Sequence, residues 1–137
     1  MQRVYADACV VINAFKGAEF SVRNRCQNLL GDPNIEVLFS DLHRVELLPK
    51  PKRNNDKLEL EFMETFLANA KCVELQMRPA IQQAVELASH FGVKPFDALH
   101  LAAAIIGKAD RFVTTESPAS PILRVRVEGI NVETLST

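Results

Sequence analysis

Four acidic residues far apart in the chain are candidates for a shared metal site. Asp7 and Glu116 follow predicted strands, Asp97 lies in the first turn of a predicted helix, and Glu46 lies in a short helix after another strand. Carboxylates are the ligands that Mg²⁺ and Mn²⁺ prefer, usually together with waters and substrate phosphates. Converging carboxylates could hold one or two such ions, which polarise a phosphodiester and activate a water for in-line attack.

The surroundings of Asp97 strengthen this interpretation. The helix that begins at Pro95 is apolar nearly all round from Phe96 to Ile106, which is typical of a buried helix. A carboxylate at its start is costly to keep charged unless it is paired, and a divalent cation would offset that cost. Helix capping alone, worth about 1 kcal/mol, is the simpler explanation and stays open.

The histidines do not indicate zinc, because no two of them have a ligand spacing and there is no HExxH motif. His100 lies three residues after Asp97, on the same helix face. It could contact phosphate or RNA near the acids. A lone histidine on an apolar helix is more often a hydrogen-bonded core residue, and we favour that interpretation.

Strands and helices must alternate along the chain to position these residues. The predicted strands are Arg3–Ala6, Glu36–Phe39, Cys72–Leu75, Phe112–Thr114 and Ile130–Leu135. The predicted helices are Glu19–Leu30, Leu42–Leu48, Asp56–Ala70, Pro79–Phe91 and Phe96–Gly107. This order predicts an α/β fold with a parallel sheet covered by helices on both faces. In such sheets ligands bind beyond the carboxyl ends of the strands, where Asp7 and Glu116 are expected.

Composition predicts a single domain over residues 1–137 and excludes several function classes. The chain is 47% hydrophobic and 24% charged, and no apolar run is long enough to span a membrane. The net charge of -1 does not indicate nucleic acid binding in either direction. Three cysteines without a CxxC pair predict reduced core thiols and a cytoplasmic location. Phosphate-binding glycine loops are absent, and a DxD phosphatase would need an acid where Cys9 lies.

A basic segment follows the short helix that carries Glu46. Its cations are Lys50, Lys52, Arg53 and Lys57, opposed only by Asp56. Two prolines predict a loop here rather than a regular helix. The segment could bind RNA phosphates or be an ordinary solvated surface, and the sequence favours neither interpretation.

Four segments, taken in order, resemble the PIN domain family and, within it, the VapC-type toxin ribonucleases. They are Val4–Phe15, Ser40–Leu47, Phe96–Ala104 and Ala109–Glu116, and the third is the most specific match. The resemblance implies a PIN-like three-layer α/β/α fold with a central, mainly parallel sheet. It implies a Mg²⁺- or Mn²⁺-dependent endoribonuclease that cleaves single-stranded RNA or tRNA. It also implies the toxin of a type II toxin–antitoxin pair, an antitoxin protein as partner, and a homodimer.

The resemblance assigns site residues one by one. It carries over Asp7, Glu46, Asp97 and Glu116 as catalytic and metal-binding acids, with Thr114 in a supporting role. The family usually has Asp where this chain has Glu116, and the extra methylene is expected to move the carboxylate outward by ~1 Å. The family often has Asn or Ser where this chain has Cys9, and a thiol is a weaker hydrogen-bond partner. The alternative to an active nuclease is therefore a catalytically impaired PIN-like module that binds RNA or a protein partner.

Overall fold

Five parallel strands form the centre of the molecule in a computed structural model that describes residues 1–137. The strands are β1 Gln2–Ala6, β2 Ile35–Phe39, β3 Lys71–Cys72, β4 Arg111–Thr114 and β5 Asn131–Thr134. Their order across the sheet is β3-β2-β1-β4-β5, and every pair is parallel. The predicted parallel α/β sheet is thus confirmed, with β1 in the middle. β3 is shorter than predicted, although the Val73 N–H still bonds to the Phe39 carbonyl at 2.7 Å.

Seven α-helices and one 3₁₀ helix cover this sheet. They are α1 Ala8–Lys16, α2 Phe20–Leu30, α3 Leu42–Leu47, α4 Pro49–Arg53, α5 Lys57–Asn69, α6 Met77–Phe91 and α7 Pro95–Ile106, with the 3₁₀ helix at Pro121–Arg124. α6 ends as predicted at Gly92, whose φ of 70° is a left-handed conformation that favours glycine. None of these helices combines the length and the apolar character that crossing a membrane requires.

Side chains of neighbouring strands alternate between two apolar layers, because successive residues of a strand point to opposite faces. Tyr5, Leu38 and Phe112 pack with the apolar faces of α6 and α7. Val4, Ala6 and Val113 pack with α1 and α2 on the other side. The three-layer α/β/α arrangement expected from the sequence is therefore confirmed.

Helix α1 was not predicted, although it lies directly after Asp7. Its side chains contact two different core clusters: Val10 and Ala14 pack toward α2, whereas Ala8 and Val11 pack toward α3 and α5. A helix that is buried on two sides shows no single apolar stripe in its sequence. Asp7 starts it, because its side chain accepts a hydrogen bond from the Ala8 N–H at 2.8 Å.

The prediction of a basic loop over Pro49–Asp56 was wrong for Pro49–Arg53, which form the short helix α4, whereas residues 54–56 lie outside any helix. Pro49 and Pro51 occupy the first and third positions of α4. The first N–H groups of a helix have no intrahelical partner, so prolines there break no hydrogen bond. The prediction for the thiols was also wrong in part: Cys26 is buried and Cys9 half-buried, but Cys72 is exposed on the short edge strand β3.

Candidate metal centre

Three acids from separate parts of the chain meet at the carboxyl ends of the central strands. One carboxylate oxygen from each of Asp7, Asp97 and Glu116 lies within 4.8 Å of the other two. Asp7 directly follows β1, and Glu116 lies two residues beyond β4, the parallel neighbour of β1. The first turn of α7 adds Asp97. Parallel pairing therefore accounts for two of the three positions, and helix packing supplies the third.

The Asp7 carboxylate is buried and held at both oxygens. Its Oδ1 accepts from the Ala8 N–H, and its Oδ2 accepts from the Thr114 hydroxyl at 3.1 Å. The Cys9 thiol lies 3.5 Å from the same Oδ2 and 3.2 Å from Thr114 Oγ1, and it accepts from the Thr115 N–H at 3.3 Å. Cys9 thus occupies a polar position next to Asp7, and Thr114 makes the shorter contact with the carboxylate.

Burial and neighbouring negative charges disfavour the charged forms of Asp7 and Asp97. Burial is the main cause that raises the pKa of Asp7. The pKa of Asp97 is raised to about 7, mainly by burial and then by the neighbouring charges of Glu116 and Asp7. Like charges this close need either protons or a cation, and a bound divalent ion would favour the charged forms of Asp7 and Asp97.

Glu116 reaches the cluster despite its extra methylene. Its Oε1 accepts from the Ser120 hydroxyl at 3.3 Å, whereas its Oε2 is buried and has no hydrogen-bond partner in the protein. A buried carboxylate oxygen without a partner is unfavourable and needs an explanation. A cation, or a proton shared with Asp97, would satisfy this oxygen, and a set of donors made only of carboxylate oxygens suits a hard divalent ion. The residues present therefore fit the divalent metal ion expected from the sequence.

Glu46, the fourth predicted acid, is not one of the three converging residues. Its Oε1 lies 2.5 Å from His100 Nε2, and about a third of its side chain is exposed. Its charge still contributes to the raised pKa of Asp7. The preferred interpretation of His100 as a hydrogen-bonded core residue is confirmed, since it is 1% exposed and bonds to the Tyr5 hydroxyl. The contact between His100 and Glu46 was not predicted. The spacing of three residues between Asp97 and His100 had indicated only that His100 lies near the acids.

Comparison with models of known protein families identifies the family of this chain. The model of the PIN domain matches residues 4–117. The chain belongs to the PIN domain family. The resemblance found in the sequence is thereby confirmed, and PIN domains are generally nucleases.

Two solved structures share the fold of this PIN domain over nearly the whole chain. One is VapBC2 from Rickettsia felis bound to a DNA fragment from its promoter, with 16% identity, a TM-score of 0.70 and coverage of 97% of this chain and 98% of that one. The other is DNA-bound VapBC from Salmonella typhimurium, with 18% identity, a TM-score of 0.61 and coverage of 98% and 99%. At these identities the likeness shows the fold alone. No curated protein matches the chain.

The four cations that the sequence singled out lie on the surface of the PIN domain at the α4–α5 corner. Lys50, Lys52 and Arg53 are exposed on α4, and Lys57 is exposed at the first position of α5. None of the four forms an ion pair with an acid of the protein. These cations are therefore available to an anionic ligand.

Proposed function

We propose that this PIN domain is a divalent-metal-dependent endoribonuclease that cleaves single-stranded RNA, tRNA included. The observation that carries the proposal is the meeting of Asp7, Asp97 and Glu116 within 4.8 Å, with one buried Glu116 oxygen that no protein group satisfies. Mg²⁺ and Mn²⁺ are the ions that suit this donor set, since both prefer oxygen ligands and retain sites for water and phosphate.

The residues of the site would have different roles. Asp7, Asp97 and Glu116 would hold the ion, with Glu46 beside them. When bound, a divalent ion would polarise the scissile phosphodiester and lower the pKa of the attacking water.

Other side chains of the protein would orient the acids and the RNA. Thr114 fixes the Asp7 oxygen that it bonds at 3.1 Å. Glu46 bonds to His100 through Oε1, which leaves its second oxygen able to accept a proton from water. Lys50, Lys52 and Arg53 would bind RNA phosphates away from the reacting bond, with Lys57 next to them.

We further propose that residues 1–137 act as one cytoplasmic domain that is the toxin of a type II toxin–antitoxin pair. The fold shared with two VapBC complexes supports this proposal. An antitoxin protein and a second copy of the chain are the partners that the proposal implies. Co-purification with the product of a small adjacent reading frame, and a mass measurement in solution, test these two partners separately.

Cleavage of a labelled single-stranded RNA by the purified chain tests the nuclease proposal. We expect cleavage with Mn²⁺ or Mg²⁺, no cleavage with a chelator, and loss of at least about a hundredfold in Asp7→Asn and Asp97→Asn. Glu64→Gln, at an exposed acid on α5, is the matched control and should cleave as fast as the parent. Equal rates in the parent and the two Asn variants would contradict the mechanism.

The alternative is a PIN-like module with impaired catalysis that binds RNA or a protein. The two departures from the family pattern, Glu116 and Cys9, favour it. Calorimetric titration separates the two functions, because an impaired scaffold should not bind Mn²⁺ or Mg²⁺ at millimolar concentration. Higher activity in Glu116→Asp than in the parent would instead indicate an enzyme weakened by the longer side chain.

A further inference from the structure

A chain of hydrogen bonds joins Glu46 to the interior of the sheet. Glu46 Oε1 lies 2.5 Å from His100 Nε2, and His100 Nδ1 lies 2.7 Å from the Tyr5 hydroxyl. The Tyr5 hydroxyl in turn lies 2.8 Å from Ser40 Oγ. Tyr5 and Ser40 are fully buried and His100 is 1% exposed. Three buried polar side chains in series therefore lead to one partly exposed carboxylate.

The chemistry of these groups lets each one form a hydrogen bond to the next. A carboxylate only accepts hydrogen bonds, so His100 Nε2 carries the proton that it donates to Glu46. The Tyr5 hydroxyl has one proton to donate and lone pairs that accept. It can therefore bond to His100 Nδ1 and to the Ser40 hydroxyl at the same time. Tyr5 thus fixes the orientation of the His100 ring, and His100 fixes the Glu46 carboxylate.

The elements that carry this network also carry the acidic cluster. Tyr5 lies on β1 two residues before Asp7, and His100 lies on α7 one turn after Asp97. A shift of the network would therefore shift the cluster. By contrast, the ring of His43 lies 4.7 Å from that of His100 but bonds only to the backbone, to the Ala6 carbonyl and the Ser40 N–H.

We propose that His100 is a positioning residue that holds the Glu46 carboxylate beside the acidic cluster, and that Tyr5 holds His100. This inference rests on the proposed function. Without His100, the partly exposed Glu46 side chain would lose its one buried partner and gain rotational freedom. Removing an outer partner of a metal site typically costs about 10–100-fold in activity or metal affinity.

Two substitutions of His100 separate its bond to Glu46 from its place in the core. The side chain of His100→Gln can place an N–H near the position of Nε2, whereas that of His100→Asn is too short to reach Glu46. We expect kcat to fall about 10–100-fold in His100→Asn, with KM for RNA unchanged, and to recover largely in His100→Gln. Tyr5→Phe keeps the ring stacked on Phe112 and should lower kcat by a smaller factor. Equal kcat values in all three variants and the parent would overturn the inference.

A double-mutant cycle tests whether His100 acts through Glu46. We expect His100→Asn and Glu46→Ala each to weaken Mn²⁺ binding, measured by calorimetry without RNA, and the double variant to be no weaker than Glu46→Ala. Additive losses would overturn the inference. Because this measurement needs no turnover, a chain that fails to cleave RNA can still show the coupling. Conversely, an inactive Asp97→Asn beside a fully active His100→Asn would leave the nuclease standing without the positioning role.

Discussion

At the scale of single residues, the hydrogen bonds of Asp7 decide how well a metal ion can be held. Asp7 accepts bonds at both oxygens, so its carboxylate has one orientation, whereas Glu116 keeps one oxygen without a partner. The cluster therefore combines a carboxylate held in one orientation with a carboxylate that has one oxygen without a partner. Such an arrangement favours a bound ion, because the second oxygen of Glu116 then has a partner.

Thr114 offers the sharpest test of this argument. Thr114→Val keeps the shape of the buried side chain but removes the hydroxyl that donates to Asp7, so we expect Mn²⁺ affinity to fall about tenfold. Thr114→Ser keeps the hydroxyl and is the matched control, with affinity within about twofold of the parent. Calorimetry measures both. If the valine variant binds Mn²⁺ as tightly as the serine variant, Thr114 does not orient Asp7.

At the scale of elements, the sequence predicted what depends on local pattern and missed what depends on surroundings. The strands were predictable because apolar runs ended at Asp7 and Thr114. Helix α1 was not, because burial on two sides removed its periodicity. Helix α4 was not, because prolines in a first turn read as a break when the helix start is unknown.

The same difference between local pattern and tertiary packing applies to the site. The strand ends placed Asp7 and Glu116 near each other, but the distance from Glu46 to the cluster depends on how α3 packs against α7. That packing gives Glu46 the partner His100 at 2.5 Å, and no sequence spacing between residues 46 and 100 encodes it. The order of the acids was readable from the sequence, whereas the structure was needed to show which three of them converge.

A further prediction concerns the exposed cations of helix α4. Replacing Lys50, Lys52 and Arg53 together by Gln should raise KM for RNA without lowering kcat, because exposed cations act through phosphates. The dependence of RNA affinity on salt should become shallower by up to about two in its logarithmic slope, at roughly 0.7 for each lost contact.

The chain offers a control of equal composition for α4. Lys71, Arg78 and Lys108 are two lysines and one arginine, all exposed and in no ion pair, on other parts of the surface. Their replacement by Gln changes the net charge by the same amount. If both triple variants weaken RNA binding equally, the effect is one of overall charge and α4 is not an RNA-binding element.

At the scale of the whole molecule, the acidic cluster links stability to pH and to metal. An acid whose pKa is raised in the folded state binds a proton that the unfolded chain has already released, so the stability of the metal-free protein falls as the pH rises toward that pKa. Asp97, with a pKa of about 7, acts in this direction between about pH 4 and 7, and Asp7 acts in the same direction. His43 acts in the opposite direction, because burial lowers its pKa to about 3 and its stabilisation is lost as the pH falls below its ordinary value.

Comparison of the parent with Asp97→Asn isolates the Asp97 contribution, since His43 is common to both. Without metal, the variant should melt above the parent at pH 7.5 by roughly 3–5 °C, on the order of 1 kcal/mol after solvent screening, and by less at pH 5.5. With Mn²⁺ at about a hundred times its Kd, the parent should gain about 2.7 kcal/mol and the variant much less, so their order reverses. Thermal melts at the two pH values, with and without Mn²⁺, measure all four cases. A variant that melts below the parent without metal at pH 7.5 would mean that Asp97 is held by the fold rather than strained by its neighbours, and the cluster would then have no stored repulsion for an ion to relieve.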